Sequence, residues 1–265
     1  MENKPLRIVQ ISDIHLFADK ENALLGVKTF NSFSKVVELL KQEQEQPDLI
    51  IVSGDISQDY TQQSYLHLAH FLKGFPIPIY YVPGNHDDRN VMRSIYPRDN
   101  ISNLRQIILK QTQIILLNSQ KAQAVYGWLD NEELFFLKEC LEEYPALPAI
   151  IVFHHQPIPV GCAWLDDLGL KNADSLWELL RNYSNKMIIL FGHIHQEHSG
   201  KKNEIQYYSA PSTCIQFKRN SEAFALENLN PGYRWLEMNE AGDINTGITR
   251  IDQYVGVFDQ NAKGY

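Results

Sequence analysis

Seven side chains of metal-binding type are spread along the first three quarters of the chain. They are two carboxylates, one carboxamide and four imidazoles, without a thiolate: Asp13, Asp55, Asn85, His15, His154, His193 and His195. Seven donors exceed the four of a closed structural zinc site. Two ions about 3.5–4 Å apart, bridged by one carboxylate, would use all of them. We therefore expect two divalent ions, first Fe2+ or Mn2+, with Mg2+ or Zn2+ as alternatives, because the donors are nitrogen and oxygen.

The spacing of these residues supports a shared site. Asp13-x-His15 and His193-x-His195 have i, i+2 spacing, which on an extended backbone places both side chains on one face. Each short motif alone has low specificity, but five motifs in this order are far more specific. Three of them include a glycine, which permits sharp turns and close approach of the backbone. These glycines are Gly54, Gly84 and Gly192.

Each motif directly follows a short apolar run that is rich in β-branched residues. Runs that are apolar throughout predict strands buried on both faces. The carboxyl ends of such strands are where open α/β sheets bind ligands. The runs are Leu6–Ile11, Leu49–Val52, Ile79–Val82, Ile150–Phe153 and Met187–Phe191.

Helical patterns lie between these strands, and the alternation predicts a layered α/β domain. One helix would be capped by Thr29, a second covers Thr61–Leu72, a third opens at Asp130 with Glu133, and a fourth covers Ala173–Tyr183. Further β-like runs predict a second, partly antiparallel sheet. They are Ile107–Leu109, Ile114–Leu117, Ile205–Ser209, Tyr233–Met238 and Ile244–Ile251. The motifs cannot be divided without breaking the site, so we expect one domain over residues 1–265.

Composition limits the classes of function. The formal net charge is −8, which argues against nucleic-acid polymers as partners, since these bind clustered Lys and Arg. A small anion remains compatible, because bound metals supply local positive charge. The three cysteines form no CxxC pair, and we find neither a signal peptide nor an apolar run long enough for a membrane. We therefore expect a cytoplasmic protein without membrane contact.

The motifs together resemble the calcineurin-like metallophosphoesterase superfamily, whose pattern is D-x-H, G-D, G-N-H-D/E, H and G-H-x-H. The resemblance covers about residues 6–217, and leaves 218–265 as a β-rich C-terminal extension. It implies a four-layer α/β/β/α sandwich of two mixed sheets flanked by helices, with the metals at strand C-terminal ends. It also implies two ligand sets that share Asp55 as the bridge. These sets are Asp13, His15, Asp55 and His195 for one ion, and Asp55, Asn85, His154 and His193 for the other.

Outside the ligands, the chain resembles bacterial class III 3′,5′-cyclic-AMP phosphodiesterases. The similar stretches are His15–Ala18, Leu24–Val27, Pro159–Asp166, Ala210–Phe217, Asn230–Arg234 and Gly264-Tyr265. The resemblance implies hydrolysis of cyclic AMP to 5′-AMP, which lowers the intracellular cyclic-AMP level, by a monomer or homodimer. It implies a substrate site formed by His15, Asp55, Asn85, His86 and His195.

His86 is not a ligand in the family but faces the substrate. We expect it to protonate the leaving 3′ oxygen or to bind the phosphate, as a general acid can. Asp87 would orient its ring, with a turn residue as the alternative. His155 has two alternative roles: it supports the metal ligands, or it only packs against its neighbours. The segment 157–172 with Trp164 would wall the substrate pocket, unless Trp164 packs on a neighbouring helix.

Two other interpretations remain. Two metals do not recognise a leaving group, so the same chemistry could act on glycerophosphodiesters or other cyclic nucleotides; a nuclease is disfavoured by the acidic charge. A non-catalytic interaction module on a phosphoesterase scaffold should have lost ligands or His86. Every one of these residues is present, so we expect a metal-dependent phosphodiesterase.

Overall fold

The computed structural model describes residues 4–252, 256, 257, 259, 262 and 264. In this part of the chain the helices are α1 Thr29–Lys41, α2 Gln62–Leu72, α3 Arg89–Ile95, α4 Asn131–Glu143, α5 Ala163–Asp166 and α6 Ala173–Leu180. The strands are β1 Leu6–Ile11, β2 Ala23–Leu24, β3 Val27–Lys28, β4 Leu49–Val52, β5 Ile79–Tyr81, β6 Ile101–Ser102, β7 Gln106–Leu109, β8 Thr112–Leu116, β9 Ala149–Val152, β10 Met187–Phe191, β11 His198–Lys202, β12 Ile205–Ser209, β13 Gln216–Phe217, β14 Leu226–Glu227, β15 Gly232–Met238 and β16 Ile244–Arg250.

Two mixed sheets of six strands each form the centre of the molecule. The first has the order β16-β15-β1-β4-β5-β6, and the second has the order β11-β12-β10-β9-β8-β7. Each contains four parallel strands, which are β1, β4, β5 and β6 in the first and β8, β9, β10 and β12 in the second. Antiparallel strands flank both parallel sets. The two predicted mixed sheets are confirmed.

The burial of alternate residues in the strands explains the layers. Ile8 and Ile51 of the first sheet pack in one buried cluster with Ile150 and Leu190 of the second. Neighbouring residues point the other way, so that Val9 lies in a separate cluster with residues of α1 and α2. A third cluster joins the outer face of the second sheet to α4 and α6. Strands buried on both faces therefore give the α/β/β/α sandwich that was expected.

The helix ends test the capping predictions. The predicted cap at Asp130 forms, because Asp130 accepts a hydrogen bond from the Glu133 N–H. Thr61, predicted only as the first residue of a helix, is the N-cap of α2 and accepts a hydrogen bond from the Ser64 N–H. The prediction for Thr29 is wrong, because β3 runs straight into α1 and Thr29 is already its first, buried residue. None of the helices in the described ranges has the length and apolarity needed to cross a bilayer.

The C-terminal segment belongs to the first sheet. β15 pairs with β1 from Leu6 opposite Met238 to Gln10 opposite Arg234, and β16 pairs with β15. Among the late β-like runs, only Ile205–Ser209 joins the second sheet, as β12. Tyr265, part of one stretch that carries the resemblance, lies outside the described residues.

Candidate metal centre

The seven predicted ligands lie at one edge of the sandwich, just past the strands that carry them. The first sheet places Asp13 and His15 after β1, Asp55 after β4 and Asn85 beyond β5. The second sheet places its ligands after β9 and β10, and these are His154, His193 and His195. Carboxyl ends of parallel strands meet at the same edge of a sheet, which brings residues from distant parts of the chain together.

Their donor atoms are close enough to share ions. His195 Nε2 lies 3.6 Å from Asp13 Oδ1 and 3.2 Å from His15 Nε2. Asp55 Oδ2 lies 3.7 Å from His15 Nε2 and 3.3 Å from His154 Nε2, so it stands between imidazoles of the two sheets. The ring of His193 is 5.1 Å from that of His154.

The hydrogen bonds of the histidines leave the correct nitrogen for a metal. His154 Nδ1 donates to the Ser53 carbonyl at 2.8 Å, and His195 Nδ1 donates to the Ile215 carbonyl at 3.0 Å. Backbone carbonyls of this kind fix the tautomer of metal-ligating histidines, so that Nε2 carries the lone pair.

Several buried donor atoms have no hydrogen-bond partner among the described residues. They are Asp13 Oδ2, Asn85 Oδ1, His154 Nε2 and His193 Nε2. His154 Nε2 at least faces the Asp55 carboxylate at 3.3 Å, but each unsatisfied buried polar atom costs about 1–3 kcal/mol, so such atoms on several ligand loops require compensation. A nitrogen and oxygen donor set of this size fits two divalent ions.

Burial and charge set the protonation of the site. Burial lowers the pKa of His15 to about 3 and holds the pKa of His193 and of His195 well below the usual range. His154 behaves differently. Burial opposes its protonation, but the Asp55 and Asp13 carboxylates and the Ser53 carbonyl together outweigh burial and raise its pKa to about 9. Burial, only partly opposed by His154, raises the pKa of Asp13 to about 7. Three imidazoles are thus neutral, the form that binds metal.

The backbone of the site departs from the predicted extended conformation. Asp13 and His15 both have φ of 53°, and His193 and His195 have φ of 69° and 49°. Asp55, at 52°, is also left-handed. Residues other than glycine rarely adopt this region, and it costs of order 1–3 kcal/mol at each position. The side chains still converge, but they do so because two left-handed residues flank a buried isoleucine, not because of strand alternation.

Two glycines allow the ligand loops to approach each other. A Cβ at Gly84 would lie 2.1 Å from Asp55 Oδ1, and one at Gly192 would lie 2.2 Å from Ser12 Oγ. Gly192 therefore has no room for a side chain where the second sheet meets the first. The close-approach role predicted for these glycines has this steric reason.

His86 and Asp87 occupy different environments. The His86 N–H donates to Asp55 Oδ1 at 2.8 Å, and its ring lies 5.1 Å from that of His15. The Asp87 carboxylate is buried and accepts hydrogen bonds from the backbone N–H groups of Gly84, Ile56 and Ser57. These bonds give Asp87 a role in joining two ligand loops, and its orientation of the His86 ring stays a prediction.

His155 lies beside the ligands with both ring nitrogens engaged. Ser119 Oγ is 2.8 Å from its Nδ1, and the Val125 carbonyl accepts from its Nε2 at 3.0 Å. These contacts keep its nitrogens away from an ion, although His154, His155 and His193 lie close enough together to suggest a three-histidine group. His155 instead fixes the loop around Val125 next to the site.

A cavity of about 580 Å³ opens beside Asn85, His86 and Asp87. The other residues that line it were not predicted from the sequence. It is formed by Tyr60, by α3 and by the loop 120–125. Segment 157–172, which we expected to wall the pocket, does not line it. Trp164 packs on Phe217 and Phe224 at 5.0 and 5.2 Å. The loop 120–125 carries no sequence motif that indicates a function. Its hydrogen bond with His155 is what links it to the site.

Comparison with known proteins decides the family. The family model described as calcineurin-like phosphoesterase matches residues 6–197. This chain is a calcineurin-like phosphoesterase. The Danio rerio dimetal phosphatase, a solved structure, superposes on this phosphoesterase with a TM-score of 0.64 at 13% identity, covering 92% of this chain and 99% of its own. At that identity the likeness concerns the fold alone.

Curated relatives of this phosphoesterase are similar over almost their whole length. The 3′,5′-cyclic adenosine monophosphate phosphodiesterase CpdA of Pseudomonas aeruginosa is 37% identical, covering 97% of this chain and 94% of its own. The protein of the same name from Escherichia coli is 37% identical over 98% and 95%. A 3′,5′-cyclic-nucleotide phosphodiesterase of Nostoc sp. is 36% identical over 94% of both chains.

Proposed function

We propose that this phosphoesterase hydrolyses 3′,5′-cyclic AMP to 5′-AMP and so lowers the intracellular level of that nucleotide. One observation carries the proposal. Six of the seven donors converge, and Asn85 lies on the loop bonded to Asp55, in a chain that is 37% identical, almost end to end, to two cyclic-AMP phosphodiesterases. A non-catalytic module on this scaffold would have no reason to keep a complete donor set, which costs stability when its atoms lie unpaired.

Two ligand sets that share Asp55 would hold the two ions. Asp13, His15, Asp55 and His195 would hold one ion, and Asp55, Asn85, His154 and His193 the other. Asp55 suits the bridge because its Oδ2 lies within 3.7 Å of His15 Nε2 and 3.3 Å of His154 Nε2. Two divalent ions held here would neutralise phosphate oxygens and activate a water for in-line attack.

His86 is the proposed general acid. Its backbone is fixed by the hydrogen bond to Asp55 Oδ1, and the residue lines the cavity. From there its ring can donate a proton to the 3′ oxygen as the phosphorus–oxygen bond breaks. His15, Asp55, Asn85, His86 and His195 form the phosphate end of the substrate site. Asp87 keeps the His86 loop attached to the loop after Asp55.

The cavity has the charge that an anion needs. Arg89 and Arg93 line it one helical turn apart on α3, and Lys121 lines it from the loop 120–125. In a chain of net charge −8, these three cations outnumber the two carboxylates that also line the cavity, Asp87 and Asp88, and they attract a small phosphate ester towards the metals. The same cations would not suffice for a nucleic-acid polymer, which requires an extended basic surface.

We place the protein in the cytoplasm as a monomer or homodimer. Its three cysteines, Cys140, Cys162 and Cys214, are buried free thiols in the structure, as is usual in a reducing compartment.

The proposal is tested by loading the purified protein with Mn2+ or Fe2+ and following hydrolysis of cyclic AMP, with the product separated as 5′-AMP or 3′-AMP. We expect 5′-AMP only. Cyclic GMP and a glycerophosphodiester are measured beside it. Faster turnover of the glycerophosphodiester would make that compound the substrate instead of cyclic AMP. If the metal-loaded protein hydrolyses none of these diesters, the proposal that it is a phosphodiesterase is wrong.

A further inference from the structure

Tyr60 stands out in the wall of the cavity. Half of its surface is exposed, and its backbone has φ of 60°, a left-handed conformation that is uncommon for an aromatic residue. Among the residues that the structure describes, none makes an aromatic contact with its ring or a hydrogen bond to its hydroxyl. A strained backbone that presents an unused aromatic ring beside a site is a reason to look for a function.

The loop that carries Tyr60 is firmly held. The Tyr60 N–H donates to Ser57 Oγ at 2.9 Å, and the Ser57 N–H donates to the buried Asp87 carboxylate at 3.1 Å. On the other side, Asp59 accepts hydrogen bonds from Thr61 and from the Ala18 N–H. The ring is therefore presented by a preorganised segment rather than by a mobile one.

The same segment contains parts of the metal centre. Asp55 begins it, and Gln58 Oε1 accepts a hydrogen bond at 2.6 Å from Nδ1 of the ligand His15. Tyr60 follows Gln58 by two residues, so its position is linked to that of the metal ligands. A substrate anchored by its phosphate at the metals would have its other end at a fixed place relative to this ring.

The cavity is otherwise polar on this side. Arg89, Asn90, Arg93 and Lys121 are exposed and line it, whereas Tyr60 and Val125 are exposed apolar groups. Its volume of about 580 Å³ lies in the range of sites that enclose small ligands. A cyclic nucleotide has one flat, apolar part, the base, and a tyrosine ring is its natural stacking partner.

We propose that Tyr60 is the stacking platform for the adenine base and thereby selects cyclic nucleotides over diesters that have no base. This inference rests on the proposed function. Stacking does not change as the phosphorus–oxygen bond breaks, so it stabilises the bound substrate and the transition state equally. Loss of the ring therefore raises KM and leaves kcat unchanged.

The test compares Tyr60→Asn and Tyr60→Phe in the metal-loaded protein. Asparagine tolerates the left-handed backbone, so this change removes the ring without added strain; Tyr60→Gly serves the same purpose if the first variant folds poorly. We expect KM for cyclic AMP to rise about 5- to 150-fold in Tyr60→Asn, the usual contribution of one stacked base. Tyr60→Phe retains the wild-type KM, because the hydroxyl has no part in stacking.

Two controls separate stacking from a general loss. Ribose 3′,5′-cyclic phosphate without a base should be hydrolysed equally by wild type and by Tyr60→Asn. Phe135→Ala removes another exposed aromatic ring, which lies on α4 away from the cavity, and should leave KM unchanged.

The outcomes are distinct. If the wild type hydrolyses cyclic AMP but Tyr60→Asn and Tyr60→Gly keep its KM, the stacking role is wrong and the proposed function stands. The stacking role is equally wrong if Tyr60→Asn raises KM for the base-free substrate as much as it raises KM for cyclic AMP. If the wild type does not hydrolyse cyclic AMP, the proposed function fails, and the role of Tyr60 fails with it.

Discussion

The two sheets have the same construction but supply different chemistry. The first sheet supplies the charged and amide donors at its edge, and the second supplies only imidazoles. The donors of the first sheet are Asp13, His15, Asp55 and Asn85, and those of the second are His154, His193 and His195. All negative charge in the ligand set thus comes from one sheet, and the other adds neutral nitrogen.

This difference has a direct electrostatic consequence. His154 faces the carboxylates of the first sheet, and their charge overcomes burial and raises its pKa to about 9. His193 lies among other imidazoles, where burial dominates and holds its pKa well below the usual range. His154 and His193 follow strands of the same sheet, but they differ in protonation because the carboxylates of the opposite sheet act more strongly on His154.

The sheets are also joined by hydrogen bonds at the site. The His193 N–H donates to Asp13 Oδ1 at 3.0 Å, and His154 Nδ1 donates to the Ser53 carbonyl at 2.8 Å. Gln10 Nε2 donates to the Phe191 carbonyl at 2.8 Å. Neither half is complete alone, so changes at the junction should affect metal binding and stability together.

The largest effect is expected for Asp55→Asn, which removes the charge between the two sheets. We expect metal content to fall for both ions and turnover to drop at least about 10³-fold, since the ions supply several kcal/mol of transition-state stabilisation. Metal analysis and kinetics check this, with the exposed Asp243→Asn as the matched control. If only one ion weakens, Asp55 is not the bridge.

His86→Ala should affect chemistry without affecting the ligands. We expect kcat to fall about 10²- to 10⁴-fold, as when a general acid is lost, with both metals retained. His70→Ala, at an exposed position of α2, is the control and should behave as wild type. Lost metal in the His86 variant would instead make this residue a ligand.

Gly192→Ala tests the contact between the sheets. The new Cβ would lie 2.2 Å from Ser12 Oγ and 2.9 Å from the Ser53 carbonyl, so we expect a loss of about 1–3 kcal/mol of stability from overpacking. Thermal unfolding measures this loss. At Gly74 a Cβ would meet no atom closer than 3.6 Å, and Gly74→Ala should leave the melting temperature nearly unchanged. Equal effects of both changes would contradict a tight junction.

The smallest effect concerns protons released on metal binding. Because the pKa of His154 is raised to about 9, the metal-free protein carries a proton there below that pH. A metal must displace it, so apparent affinity should fall about tenfold for each pH unit from 9 to 7. Below about 7 the fall should steepen, because Asp13 also takes up a proton.

Calorimetry in buffers of different ionisation enthalpy counts these protons. We expect about one from the ligands at pH 8, since burial keeps His15, His193 and His195 neutral, and up to one more from a water bound to the ions. Three or four released protons would show that the histidines of the site are charged without metal and would remove the electrostatic difference between the sheets.

Local chemistry made some features predictable. Asp130 caps α4 as predicted, because a capping side chain needs only a neighbouring N–H. Thr29 fails as a cap because a strand enters the helix directly, which the residue types do not indicate. Orientation of the His86 ring by Asp87 stays a prediction from adjacency, whereas the hydrogen bonds from Ile56 and Ser57 to Asp87 depend on the packing of another loop.

The residue types and their order predicted seven candidate ligands and the kind of ion that they suit, because donor chemistry belongs to the side chain wherever it lies. Tertiary structure alone decided the left-handed backbone of Asp13 and His15, the raised pKa of His154 and the place of Tyr60 in the cavity. Each of these features depends on groups that the packing of the two sheets brings together. The spacing of residues along the chain does not predict which distant groups become neighbours in the fold.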